Sequence, residues 1–419
     1  MSKYAFLSAS LFILFALASC TAQNTPNVPT PLSIDAVAAY TGSPMYDKIT
    51  PFNLQIEIQN HQLSLHEPYT GSFVGVYIAR DTTVNSIRAF EADVGVSHAI
   101  FAYTMALDDE YPVKWVLENI ALMKTPFIVV MPSENGPKYD IELLTDLAIN
   151  AGNFDVPIFV NLFPVLAGHA FDPTEYIAFF RRARDIFAEH ASNVALVWGF
   201  DAESMMHSTQ FYPGRDAVDW IHLIIYNDVD TNGQFRDFFA YIDFFYFAFQ
   251  HEGPLVVSTA VSHYTLESNA YFTRQAAEKI THIYSRLQEY PRIRAILYLN
   301  YNDLQGSGNK YAINTMRDIS AAYAQALTAP HFLNYVNISP HHEKATIRIH
   351  SPFRAIMRNY YFYIPARALI YDTRFPYLQL LDGKEIEIDG DIFFAIADIN
   401  RVSGADFFVD LGRHLLVLR

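Results

Sequence analysis

The chain has 419 residues, of which 51% are hydrophobic and 15% aromatic, enough for one large domain and a smaller one. Its 44 acidic against 29 basic side chains leave a formal net charge of -15, and no Lys/Arg run offsets it locally. A surface that acidic repels nucleic-acid phosphates and anionic lipid, so nucleic acid is excluded and neutral partners such as uncharged sugars remain.

Ser2-Lys3 heads an apolar run from Ala5 to Ala18 that is too short to span a bilayer as a mature helix. Leu17-Ala18-Ser19-Cys20 is similar to a bacterial lipobox, in which cleavage leaves Cys20 as the lipidated N-terminus. An ordinary signal peptide that contains a cysteine is the alternative. Cys20 is the sole cysteine, so intrachain disulfides and cysteine metal sites are excluded. Residues 1–20 therefore read as a lipoprotein signal and 21–50 as a polar tether, predicting an exported protein of the cell envelope. Residues 51–69 follow as an N-terminal β segment in which Leu54–Leu65 alternates.

From Phe73 onward, short apolar runs alternate with helical patterns, the mark of repeated βα units. The spacing predicts strands at Phe73–Ile78, His98–Tyr103, Pro126–Met131, Pro157–Leu162, Val194–Gly199, Trp220–Tyr226, Pro254–Thr259 and Arg294–Asn300. This predicts an α/β fold, a (β/α)8 TIM barrel over 70–328. An open doubly wound sheet is the runner-up, but a nucleotide-binding one needs a Gly-rich phosphate turn that is absent. Asp172-Pro173-Thr174-Glu175 supplies an N-cap, a proline at the first helical position and a reciprocal Glu. Phe235–Phe249 is interrupted by Arg236, Asp237 and Asp243, which favours a buried outer helix over a membrane span. Residues 329–419 read as an all-β C-terminal accessory domain, with strands at Ala345–His350, Tyr360–Tyr371 and Tyr377–Ile399, and Leu54–Leu65 as a further strand able to pair with it.

Several of these segments resemble glycoside hydrolase family 26, the β-mannanase-type barrels. Phe73-Val74-Gly75-Val76-Tyr77 resembles that family's first strand, and His98-Ala99-Ile100-Phe101-Ala102-Tyr103 its second. Asn193-Val194-Ala195-Leu196-Val197-Trp198 is similar to its fifth, and Pro291-Arg292-Ile293-Arg294-Ala295-Ile296 to its eighth. The most specific match is Tyr212-Pro213-Gly214, followed by Val218-Asp219-Trp220-Ile221 and Tyr226-Asn227. The likeness covers roughly residues 70–325 in order and spacing.

The resemblance implies a retaining O-glycosyl hydrolase with two glutamates, at the ends of strands 4 and 7. One protonates the leaving oxygen; the other, about 5–5.5 Å away, attacks the anomeric carbon. Here the chain departs from the pattern. Anchored on Pro157 and Pro173-Thr174-Glu175-Tyr176, the acid/base position falls on Val165 and its His neighbour on Pro164. The nucleophile position falls on Thr259. The nearest downstream acids, Asp172 and Glu267, are too far along the chain, and Asp155 and Glu252 precede their strands. Valine transfers no proton, and a threonine nucleophile needs an adjacent base.

The strand ends still carry polar and aromatic groups suited to sugars, which stack on aromatic faces and hydrogen-bond through hydroxyls. The binding candidates are Trp198, Tyr226, Asn161, His263 and Tyr301. Asp81, Asp108, Asp109, Glu134, Asn227, Asp228, Tyr264, Asn300 and Asn302 fall at similar positions, where cap and turn duties are the competing explanation. Trp198 and Tyr226 also compete with inward-facing barrel filling. Asp201, Glu203 and Asp303 are candidates for a relocated acid pair. His341-His342-Glu343 reads as a solvated loop, and neither a metal nor a cofactor is expected. Three functions follow: a catalytically degenerate, surface-anchored polysaccharide or oligosaccharide binder; an active glycosidase with displaced carboxylates; or an envelope protein that binds another protein. The first is favoured, as a monomer that meets the membrane only through its lipid.

Overall fold

The computed structural model describes residues 49–78, 86–133, 139–168, 171–303, 306–336, 343–359, 361–372, 378–381, 383–388 and 390–419. Cys20, the tether, Asp81, Glu134, His341 and His342 lie outside the described residues.

After an N-terminal strand β1 (Ile49–Gln62), parallel strands begin with β2 (Ser72–Ile78), β3 (Ile100–Ala106), β4 (Thr125–Met131) and β5 (Ile158–Leu162). They continue with β6 (Val194–Asp201), β7 (Trp220–Asn227) and β8 (Leu255–Val261). A small hairpin of β9 (Tyr264–Thr265) and β10 (Ala270–Tyr271) precedes the eighth barrel strand, β11 (Ile293–Asn300). β11 pairs with β2 from Ala295↔Phe73 to Asn300↔Ile78, which closes the barrel. The helices α1 (Ile87–Val94), α2 (Val113–Ala121), α3 (Ile141–Gly152) and α4 (Pro173–His190) follow the first four strands. The short α5 (Met205–Ser208), then α6 (Phe238–Phe249), α7 (Thr273–Arg286) and α8 (Arg317–Ala326), follow the others. This is the expected (β/α)8 barrel.

Local chemistry sets these helices. The Asp172 carboxylate accepts from the N–H groups of Thr174 (2.9 Å) and Glu175 (3.0 Å), with Pro173 opening α4. On α6, Phe238, Phe239, Ile242, Phe245, Tyr246 and Phe249 are buried, so it is an outer barrel helix. No described helix is long and apolar enough to cross a membrane.

Strand alternation sorts side chains into two cores. Along β6, Ala195 and Val197 face the barrel interior, whereas Val194, Leu196, Trp198 and Phe200 face the helices. Along β8, Val256 faces inward and Leu255, Val257 and Val261 outward. Trp220 fills the interior and bonds through Nε1 to the Leu65 carbonyl at 2.7 Å, below the N-terminal ends of the strands. The segment before β2 seals that end: Glu67 is wholly buried against Arg292 and sits 3.6 Å from Arg294.

The remaining strands are β12 (Phe332–Leu333), β13 (Lys344–Arg358), β14 (Tyr361–Pro365), β15 (Glu385–Ile388), β16 (Asp391–Ala395), β17 (Phe407–Asp410) and β18 (Leu415–Leu418). β12 adds to the barrel beside β2, and the others form a second sheet in the order β15-β16-β14-β13-β1-β18-β17. β1 lies inside it, antiparallel to β13 and parallel to β18, as the alternation in Leu54–Leu65 suggested. The accessory unit is β-rich rather than all-β. The expected strands Tyr360–Tyr371 and Tyr377–Ile399 yield at Pro365 and Ala395 to helices α9 (Ala366–Tyr371) and α10 (Ile396–Ser403). Helical spacing wins there: Ile396, Ile399 and Val402 lie on one face, and Gly404 ends the helix at φ 71°.

Candidate functional site

The C-terminal ends of the barrel strands form the mouth, where strand alternation decides which residues meet a ligand. Tyr77, Asp201 and Tyr226 continue the inward set of their strands, and Tyr301 follows β11. Tyr226 and Tyr301 meet edge to face at 6.3 Å, as do Tyr77 and Tyr301 at 6.4 Å. Tyr311 stacks on Tyr301 at 5.3 Å and anchors the group by donating its hydroxyl to Asp228 at 2.6 Å. Burial, and next the neighbouring Tyr226, push the Tyr301 hydroxyl far above its ordinary pKa, so it stays a neutral hydrogen-bonding group. Tyr226 keeps 44% of its surface open. The sequence supplied Tyr226 and Tyr301 as candidates but not Tyr77 or Tyr311. Inward parity at the end of β2 is the signal for Tyr77; Tyr311 folds back from the segment that follows β11, where its N–H bonds the Tyr301 carbonyl at 3.0 Å.

Three candidates are not at the mouth surface. Trp198 is fully buried on the helix side, packed on Phe200 and Tyr212 at 5.0 Å each and on Phe249 at 5.5 Å. The expectation of a stacking platform is corrected: its parity points it outward. Asn161 is sealed inside the barrel, donating Nδ2–H to His222 Nδ1 (2.8 Å), which leaves His222 Nε2–H for Ser258 (2.7 Å). Burial lowers the His222 pKa to about 3, so this interior layer is uncharged. His263 is also buried, stacked under Tyr271 at 6.2 Å, and neither ring nitrogen has a hydrogen-bond partner among the described residues. Burial, reinforced by Lys310, lowers its pKa to about 4.

Val165 and Thr259 are both buried. The Val165 backbone runs beside β6, accepting the Asp201 N–H and donating to the Gly199 carbonyl at 2.8 Å, while its side chain joins the outer core. Thr259 shares the parity of Val257, so it too faces the helices, and its hydroxyl accepts from Asn227 Nδ2 at 2.8 Å. The inward neighbours are Ser258 and Ala260, neither a carboxylate.

The displaced acids are occupied with turns. Asp201 accepts the Ala167 N–H at 2.7 Å and the Ser204 N–H at 2.8 Å. Asp303 accepts from Gly306 N (3.0 Å), Ser307 N (2.7 Å) and the Ser307 hydroxyl (2.9 Å), and the bonds from Ser307 hold its pKa below the usual range. Glu203 is exposed. A general acid needs the opposite shift. Asp109 likewise caps its turn through the Ala106 N–H, while Asp108 is exposed. Asn300 and Asn302 hold the loop carrying Tyr311 by accepting from Ile313 and Ala312, and the Tyr264 hydroxyl donates to Asn269. Among the described residues no cluster of three potential metal ligands occurs.

The motifs carrying the family resemblance are structural. Tyr212 packs on Trp198 and donates to Glu252 at 3.1 Å. Asp219 accepts the Leu196 N–H and pairs with Arg184 at 2.7 Å.

No family model matches the chain, and no curated protein matches it in sequence. Among solved structures it is similar to a modular family 26 endo-β-1,4-mannanase from Cellulomonas fimi, at a TM-score of 0.51 and 13% identity, covering 67% of this chain and 81% of that one. A family 26 β-mannanase from Bacteroides ovatus aligns at 0.46 and 13%, over 65% and 94%. A family 39 glycoside hydrolase from Bacteroides cellulosilyticus aligns at 0.44 and 12%, over 79% of each. The likeness is one of fold: the barrel is family 26-like.

Proposed function

We propose that this is an envelope lipoprotein, anchored through Cys20, whose family 26-like barrel binds polysaccharide without hydrolysing it. The observation that carries the reading is chemical. Hydrolysis needs a proton donor and a facing nucleophile. The corresponding positions hold Val165, which has no proton to give, and Thr259, whose described partner is an amide rather than a base. The inward Tyr77, Tyr226 and Tyr301 support retained binding, because neutral phenols stack on sugar C–H faces and hydrogen-bond hydroxyls. Asp201 and Asp303, two of the carboxylates at the strand ends, serve backbone N–H groups of nearby turns.

Affinity electrophoresis of the mature protein against mannan, glucan and xylan tests this. Retardation by at least one polymer, lost in the Tyr226→Ala, Tyr301→Ala double variant, is expected, with no release of reducing ends. Sustained release of reducing ends overturns the non-hydrolytic reading, and absence of retardation by all three overturns binding. Labelling with radioactive palmitate should mark the full chain but not its Cys20→Ser variant.

A further inference from the structure

We propose that the cleft between the barrel and the β-rich unit is a second, separate binding site, for a carboxylate-bearing saccharide. The cleft encloses about 760 Å³, within the range of small-ligand pockets. It lies on the outside of the barrel, between the end of α7 and the residues after it on one side and β1 and β13 on the other. Arg286 reaches it from the barrel, and Arg354 and Arg413 from the β unit.

Charge is what distinguishes this cleft in a chain of net -15. Arg354, half-buried on β13 opposite Asn53, has no acidic partner among the described residues. Arg413 meets Asp410 only at 3.8 Å, with 82% of its side chain exposed. The two lining acids are engaged: Asp243 accepts the Tyr290 hydroxyl at 2.5 Å, and Glu289 pairs with Arg286 at 3.2 Å. Arg354 is thus left over and Arg413 is only loosely held, and guanidinium binds a carboxylate in a bidentate fork.

The rest of the lining suits a sugar ring. Phe353 supplies aromatic surface beside the hydrogen-bonding side chains of Asn53 and Gln55, while Tyr290 is buried beneath, stacked on Phe239 and His350. The floor is fixed, because Gln250 at the end of α6 pairs twice with the His350 backbone, at 2.7 and 3.0 Å. Gln55 Nε2 donates to His350 Nε2 at 2.7 Å, so both side chains are held in place before any ligand arrives. A cleft with one unpaired and one loosely paired arginine, an aromatic side chain and a rigid amide floor has the composition that recognises a uronic acid unit.

Calorimetric titration of the mature protein with trigalacturonate, mannotriose and inorganic phosphate tests the assignment. Trigalacturonate should bind, and the Arg354→Ala, Arg413→Ala double variant should weaken it at least about tenfold. The Tyr226→Ala, Tyr301→Ala variant should leave this binding unchanged, which separates the cleft from the mouth. If the arginine double variant melts early, Arg413→Ala alone serves, since its side chain is mostly in solvent, with a loss of about threefold or more expected. Absence of trigalacturonate binding, unchanged binding in the arginine variants, or loss in the tyrosine variant overturns the site. Equal binding of phosphate or of mannotriose overturns its assignment to a carboxylated sugar.

Discussion

Trp198 and Tyr226 lie on neighbouring strands, yet one is core and the other is open, because Trp198 is level with Ile221 and turned to the helices whereas Tyr226 is turned inward at the mouth. Replacing Trp198 with Ala removes contacts to Phe200, Tyr212 and Phe249. A loss of about 3–5 kcal/mol in urea unfolding is expected, in keeping with large-to-small core changes, while retardation of the still-folded protein by polysaccharide stays unchanged. Weakened retardation at full occupancy of the folded state would return Trp198 to the binding surface. Phe163 is the other instructive residue. It follows β5 at φ 47°, a backbone state costly for a bulky side chain, and its buried ring stacks on Phe179 at 5.0 Å while Tyr176 donates to its carbonyl. The chain leaves the β ladder there, which turns Val165 toward the outer core.

At the scale of elements, the segment from Leu63 to Gly71 closes the barrel's N-terminal end. Its carbonyls at Leu65, Tyr69 and Gly71 accept from Trp220, Arg294 and Arg294 again, and His66 bonds the Asn193 carbonyl at 2.8 Å. Glu67 supplies the charge that lets Arg292 be buried completely. In Glu67→Gln that cation is left without its counter-ion. The variant should lose about 3–5 kcal/mol in urea denaturation, the cost of breaking a buried pair. A loss below about 1 kcal/mol would mean that the amide and backbone bonds alone suffice. By contrast, Asp172→Ala removes only a helix cap and should cost about 1 kcal/mol by the same measurement; a loss near zero would show that the remaining bonds of α4 make the cap redundant.

The outer core of the barrel and the core of the β-rich unit are joined by polar contacts. Gln250 grips the His350 backbone, and His251 lies 3.6 Å from the buried Asp372. Buried neutral histidines give the whole molecule a direction of acid sensitivity. Burial lowers the pKa of His350 to about 4, His222 to about 3 and His263 to about 4, from 6.5. Each binds its proton more readily in the unfolded chain, so its contribution is complete above about pH 6.5 and is lost as pH falls toward 4 and 3. The urea midpoint should therefore drop between pH 7 and pH 4.5, and drop less in His350→Gln. A midpoint that rises over that interval would contradict the sign.

The order of amino acids was enough to place the barrel and its strands. Those are local facts, legible because apolar runs, caps and turn residues act over a few neighbours. The tertiary structure settled which face each strand residue took, since a shift of one position exchanges mouth for core, as between Tyr226 and Asn227. It also decided the parallel seating of β18 beside β1 and the burial of Glu67 against Arg292. Such contacts depend on chain closure across many residues, and no spacing along the sequence encodes where two distant segments will meet.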